Sequence, residues 1–219
     1  MPAVADDRPI MGGQMRLTIF GSTGRTGRQV LAEGIRRGHR ITAFTRRPDT
    51  IADPAALAAV VAGDGRDPDA VRTAVADADA VVAIIAAASR KGPHHVADVA
   101  RTVTDTMSAT GVRRLVVTSV YPIVATKPRL PIALLKLVFA DAYADCAAME
   151  DIVSTSSLDW TIARLNRLTD KPPHGTFYTS RALLDRPFAI TRTDAAAALL
   201  DIVKDETLAK TAINIAGTR

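Results

Sequence analysis

Gly21, Gly24 and Gly27 recur every third residue in Gly21-Ser22-Thr23-Gly24-Arg25-Thr26-Gly27. The run sits between the apolar segment Arg16–Phe20, which reads as a strand, and Gly27 to Arg37, whose Val30, Leu31 and Ile35 have helical spacing. A glycine turn in that position is chemistry for an anion. The first glycine permits a tight turn, the second lets a pyrophosphate approach the backbone, and the third lets the helix pack close. The first N–H groups of the helix then face the phosphate. Ser22, Thr23 and Thr26 offer hydroxyls and Arg25 a charge. An ordinary glycine-rich turn is the alternative, but the strand before it and the helix after it favour dinucleotide binding.

The next signal follows Ile41–Thr45, a second strand, which runs into Arg46-Arg47-Pro48 with no carboxylate. An acid there would repel a 2′-phosphate, whereas arginine pairs with one bidentately. The expected cofactor is therefore NADP(H) rather than NAD(H), held by Arg46 and Arg47 unless these are plain surface charges. A phenol whose acidity is raised by a lysine one helical turn on, four residues away, could act as the acid of a reduction. Each tyrosine, Tyr121, Tyr143 and Tyr178, has alanine at that position. Hydride transfer needs no protein acid if the acceptor is activated enough, and flavins, quinones and linear tetrapyrroles are such acceptors. Ser119 and Tyr121 flank the expected pocket as hydrogen-bond donors, with strand capping and packing as alternatives. Arg164, Arg167 and Lys171 could hold an acidic group of an acceptor or serve in salt bridges, Arg164 more naturally the latter. His39, His94, His95 and His174 lack metal-ligand spacing, so no metal is expected. Asp98, Asp105, Asp141, Asp145, Glu150 and Asp151 read as solvated helical faces. Cys146 lies in an apolar helical stretch and reads as a buried thiol rather than a nucleophile.

Strands and helices alternate from Arg16 to Ala216. Further strands are expected at 60–62, 80–86, 115–119, 159–164, 188–191 and 212–216. Helices are expected at 54–60, 67–76, 93–110, 132–156 and 194–204, the last capped by Thr193. Loops rich in proline follow Ser119 and Arg164. The alternation implies right-handed crossovers and an α/β, Rossmann-type doubly wound parallel sheet, a single domain over residues 15–219 with a small irregular C-terminal substrate-side region. The loops after Ser119 and Arg164 then share the sheet edge of the glycine turn, where such sheets bind ligands. Residues 1–14 read as a mobile extension without an export signal, and Met15 could itself be a start.

The 219 residues carry a formal charge of +5, with Lys and Arg scattered and only 4% aromatic residues, which gives no nucleic-acid footprint. The apolar run Leu130 to Ala140 contains Lys136 and is too short to span a bilayer. One cysteine fits a reducing compartment, so a cytoplasmic protein with no membrane partner is expected, a monomer or weak homodimer.

The glycine run, the arginines after strand two, Gly63-Asp64, Gly111-Val112-Arg113-Arg114, Thr118-Ser119 and Arg164-Leu165-Asn166-Arg167-Leu168-Thr169-Asp170 together resemble the atypical short-chain dehydrogenase/reductases. Within them the chain is most similar to the NAD(P)H-binding, NmrA-like group, on the side of its biliverdin and flavin reductases. The resemblance covers about residues 15–217 and implies roles by position. Asp64 would lie beside the adenine, Ala86, Ala87 and Ala88 near the cofactor ribose and pyrophosphate, and Ser119 near the nicotinamide. Arg164 to Leu168 would form the nicotinamide and substrate wall. Biliverdin-type members carry a histidine where this chain has Arg167, and Pro-Pro where it has Leu165-Asn166, so a more cationic wall is expected. Two functions are implied: reduction of a planar conjugated acceptor, or a non-catalytic dinucleotide sensor. Epimerase or isomerase chemistry is weakened by the missing Tyr-Lys pair.

Overall fold

The computed structural model describes residues 13–85, 92, 95–185 and 187–218. The first half runs β1 (Arg16–Phe20), α1 (Arg25–Arg36), β2 (Arg40–Thr45), β3 (Ala59–Ala62), α2 (Pro68–Val75) and β4 (Ala80–Ala83). The second half runs α3 (Val96–Thr110), β5 (Arg114–Val120), α4 (Arg129–Val138), α5 (Ala140–Thr155), β6 (Asp159–Leu165), β7 (Leu168–Thr169), β8 (Phe177–Ser180), β9 (Ile190–Thr191), α6 (Arg192–Lys204) and β10 (Thr211–Gly217). Eight strands form one sheet in the order β3-β2-β1-β4-β5-β6-β10-β8, and β7 pairs with β9 beside it. All pairings in the main sheet are parallel except that of β8 on β10. The strand order reverses between β1 and β4, the place where a doubly wound sheet opens a crevice for ligands.

The central strands are apolar throughout because each faces two cores. Ala80 and Val82 of β4 pack with Val116, Val30 and Leu199 on the α1/α6 side, while Val81 and Ala83 pack with Val117, Met107 and Met149 under α2, α3 and α5. The two-residue period of the strand thus appears as alternation between layers rather than between core and water.

Helix ends follow local chemistry. Asp67 caps α2 through the N–H groups of Asp69 and Ala70, as the sequence suggests. The start of α3 is capped from outside: the Val96 and Ala97 N–H groups donate to the two carboxylate oxygens of Asp145 on α5, at 2.8 and 3.1 Å. Asp145 and Glu150 are therefore not solvated face residues, because each meets a fixed positive partner across α5, Glu150 being buried against Arg164.

Several boundaries differ from expectation. Residues 54–60 form a short 3-10 turn and then β3, because Val60 and Val61 pair with Ala43 and Phe44. β4 ends at Ala83, and Ala86 lies outside the described residues. The expected helix 132–156 is two helices, broken at Phe139 (φ −115°, ψ 27°), and the first begins at Arg129 because Pro131 falls in its first turn, where a missing N–H removes no helical bond. The cap of α6 is Thr191, not Thr193. Thr191 is extended and accepts from the Asp194 N–H, while the Thr193 hydroxyl turns to Gln29. The segment 165–187 is not wholly irregular, since Phe177–Ser180 finds the open edge of β10.

Candidate functional site

The turn between β1 and α1 is built around one carbonyl. Gly21 has φ +71°, and a side chain there would meet the Ile84 carbonyl oxygen at 2.1 Å. Its own oxygen accepts from the Gly24 N–H at 3.0 Å and would lie 2.1 Å from a Cβ on Gly27. Gly21 and Gly27 therefore admit no side chain, and helix α1 starts against the strand end. Among the described residues no side chain caps the first N–H groups of α1, which leaves its positive end available to an anion. Ser22 is wholly buried and donates to the Phe44 carbonyl at 2.9 Å, and the Thr23 and Thr45 hydroxyls meet at 3.0 Å. These bonds lock the turn to β2. Arg25 pairs with Asp170, which also holds Arg192.

Arg46 and Arg47 are exposed directly beyond β2. Asp64, past the end of β3, accepts from the Arg66 guanidinium and backbone. That arginine above all holds the carboxyl down to about 2, with a smaller push from Arg46. The carboxylate is thus neutralised locally beside a cationic edge. Ala86, Ala87, Ala88 and His94 lie outside the described residues.

A cleft of about 1280 Å³ begins beside this turn, with Thr26 and Ile84 at one side and Ser119 and Tyr121 at the end of β5. Of the expected wall, Leu165, Asn166, Arg167 and Leu168 line it. Arg164 does not, because it points to the α5 layer and its guanidinium is bound by Glu150 at 2.5 to 3.1 Å. Lys171 is not among the lining residues either. The expected cationic wall is accordingly mostly apolar, with Arg167 and Lys127 its basic members. Asn166 donates to the carbonyls of Pro187 and Phe188, so it shapes the wall by fixing the chain opposite.

Ser119 and Tyr121 differ in kind. The Tyr121 hydroxyl accepts from the Leu184 N–H at 2.9 Å and lies 3.2 Å from the Leu184 carbonyl, to which it donates. It pins the 181–185 segment, which is the packing alternative. The Ser119 hydroxyl is buried and has no hydrogen-bond partner among the described residues. A buried hydroxyl in that state carries a desolvation penalty that a ligand can relieve. Sequence reasoning missed the far side of the cleft: Ile132, Leu135, Phe139, Tyr143 and Cys146 from α4 and α5. Their helical spacing was readable, but not which face would turn to the sheet edge. Burial, then the charges of Asp145 and Glu150, push the Cys146 thiol up to about 11. Among the described residues no group of His, Cys, Asp and Glu is placed to hold a metal ion.

A family model described as NAD(P)H-binding matches residues 21–206. The chain belongs to that NAD(P)H-binding family. Solved structures with the same fold include a short-chain dehydrogenase/reductase from Veillonella parvula in complex with NADP, 21% identical, with a TM-score of 0.76 over 94% of this chain and 95% of that one. ChuY, an anaerobilin reductase from Escherichia coli O157:H7, is 21% identical with a TM-score of 0.75 over 92% and 96% of the two chains. A Rossmann-fold NAD(P)-binding protein from Shigella flexneri is 22% identical with a TM-score of 0.69 over 94% and 98%. At these identities the likeness is one of fold.

The residues present fit an NAD(P)H. Gly21 and Gly27 let the turn close with α1 starting against the strand end, the start of α1 has no side-chain cap, and Ser119 ends in a hydroxyl without a partner among the described residues at the same sheet edge.

Three outcomes follow from this site. Gly27→Ala places a methyl group on the Gly21 carbonyl and abolishes measurable NAD(P)H binding by fluorescence titration. Gly24→Ala, whose Cβ would sit 3.1 Å from the same oxygen, weakens binding without abolishing it. The Cys146 thiol, raised from 9.0 to about 11, holds about a hundredfold less thiolate at neutral pH than an unshifted thiol. Iodoacetamide alkylation of the native protein is therefore slower than that of the urea-unfolded chain, though by less than the thiolate fraction alone implies, because a thiolate of higher pKa is the better nucleophile.

Proposed function

We propose that the protein is an NADPH-dependent reductase of a planar, conjugated, largely apolar acceptor of the flavin, tetrapyrrole or quinone type. The observation that carries this reading is the cleft itself. It is large enough for a multi-ring acceptor, runs from the glycine turn along the ends of β4, β5 and β6, and offers apolar walls with one unpartnered buried hydroxyl, Ser119. The family membership supports the cofactor class.

In this reading the turn residues Gly21, Thr23, Gly24 and Gly27 and the start of α1 hold the pyrophosphate, with Thr26 beside it. Arg46 and Arg47 take the 2′-phosphate. Asp64 stands by the adenine with its charge already balanced by Arg66. The bound NADPH supplies a hydride. Ser119 orients the reacting face by donating its hydroxyl hydrogen to a carbonyl or ring nitrogen. Leu165 and Leu168 on one side and Phe139 and Tyr143 on the other exclude water and sandwich a flat ring system. Arg167, exposed at the mouth, meets an acidic substituent of the acceptor. No tyrosine of the sequence has a lysine four residues on and Tyr121 is occupied by Leu184, so in this reading the proton comes from solvent. This requirement restricts the acceptor to one already easy to reduce.

The deciding measurement is NADPH oxidation with a panel of FMN, FAD, biliverdin and quinones. Turnover with at least one planar acceptor is expected, and no turnover with any of them overturns the reading. Ser119→Ala lowers kcat by about tenfold, the worth of one hydrogen bond of about 1.4 kcal/mol. The same substitution leaves the Tm unchanged or higher, because no hydrogen bond within the protein is lost. Arg46→Ala/Arg47→Ala weakens NADPH binding by about 10–100-fold, the range for charge-assisted bonds, with NADH binding nearly constant. Equal losses for the two cofactors rule out the assigned 2′-phosphate contact.

A further inference from the structure

Helix α4 has an outer face that the cleft does not explain. Pro131, Ile132 and Leu135 turn towards the cleft. On the opposite face Leu130, Leu134 and Leu137, spaced as successive turns of a helix, are 84%, 62% and 76% exposed. A surface helix ordinarily presents polar residues to water, and a leucine stripe of this kind marks a contact surface. The charges on the segment itself have one sign, and the nearest acid along the chain is Asp141 at the start of α5. Lys127, Arg129 and Lys136 are exposed on or beside the helix, and residues 121–140 contain no Asp or Glu. Among the described residues none of the three makes an ion pair with a carboxylate.

We propose that α4 docks the protein on an anionic lipid surface, its Leu130/Leu134/Leu137 stripe seated among the acyl chains and Lys127, Arg129 and Lys136 on the headgroups. Charge selects this occupant over a second copy of the chain. A two-fold contact would bring the basic flanks against their own copies, whereas anionic headgroups attract them and leave the leucines an apolar phase to enter. The proposal sets aside the expectation of no membrane partner, which rested on the length of the apolar run. No described helix is long and apolar enough to cross a membrane, and a helix lying in the interface needs no such length. Docked in this way, the cleft lies one helix away from the lipid surface, on the inner side of α4, which favours an acceptor that partitions into lipid. That last step rests on the reductase reading, and the docking does not.

Vesicle flotation tests the docking separately from turnover. The full chain is floated with phosphatidylcholine vesicles and with phosphatidylcholine/phosphatidylglycerol vesicles, at low and high salt. Sedimentation velocity is run alongside. Expected is flotation with the anionic vesicles only, reduced by salt. Leu134→Ser/Leu137→Ser and Arg129→Glu/Lys136→Glu each lower the vesicle partition coefficient by at least about tenfold. These side chains are exposed and lose no packing, and circular dichroism of each variant, with Leu137→Ser as a milder substitute, verifies the fold. No flotation of the folded wild-type chain overturns the proposal. So does equal flotation with neutral vesicles, or flotation untouched by either variant. A dimer in sedimentation that Leu134→Ser/Leu137→Ser dissolves assigns the stripe to a second copy and overturns it as well. If flotation succeeds while every acceptor fails, the reductase reading falls and the docking stands.

Discussion

The carbonyl group of Gly21 organises the upper edge of this sheet. Its oxygen accepts from Gly24 and lies where a Cβ of Gly27 would have to be, while the Gly21 Cα itself faces the Ile84 carbonyl too closely for any side chain. The turn can close only if both positions are bare. Once it closes, α1 begins against the end of β1, and the pairing of β1 with β4 brings Phe20 level with Ala83. The crevice between the two halves of the sheet then opens beside the free end of the helix. The Ser22 and Thr23 hydroxyls, tied to β2, keep the turn from reopening.

Around that edge most polar groups already have partners, which decides what remains for a ligand. Arg164 is held by Glu150, Tyr121 by Leu184, Asn166 by the 187–188 carbonyls, and Asp64 by Arg66. If the half-buried Arg164 guanidinium moved away it would leave the buried Glu150 carboxylate, 2.5 Å from it, unpaired, so Arg164 stays with the scaffold. Among the buried groups expected to act, the Ser119 hydroxyl at the end of a central strand has no partner among the described residues, while Arg46, Arg47 and Arg167 stand exposed at the rim. A site with few free polar groups and broad apolar walls selects ligands by shape and flatness more than by charge.

The break at Phe139 separates two tasks. Helix α5 continues the sheet-covering layer, with Met149 and Val153 in the core and Asp145 capping α3. Helix α4 buries none of its residues and lies across the cleft. A single straight helix would have extended the core layer and left the cleft without its far wall.

Much of this was legible in the chain itself. Gly21, Gly24 and Gly27 at the end of a strand specified the turn, since sterics at a glycine are local, and the apolar run at 80–86 and the segment 115–119 pointed to central strands. The absent Tyr-Lys pair and the arginines after β2 are likewise properties of the chain. What the sequence could not carry were choices between partners distant in the chain. Residues 54–60 read as a helix, yet only Pro54–Ala56 make a 3-10 turn, because the strand expected at 60–62 already begins at Ala59, where β2 offers hydrogen bonds that a short helix could not match. Asp145 and Glu150 look like surface acids until α3 and β6 bring a helix end and a guanidinium to them. Arg164, at the end of a strand, already read as the salt-bridging residue of the pair, but only the fold supplied Glu150 as its partner and left Arg167 at the mouth of the cleft. Local sterics and alternation determined the turn and the strands. The partners of the charged groups, and with them the polarity of the site, were decided by tertiary packing, because burial is set by what arrives from elsewhere in the chain.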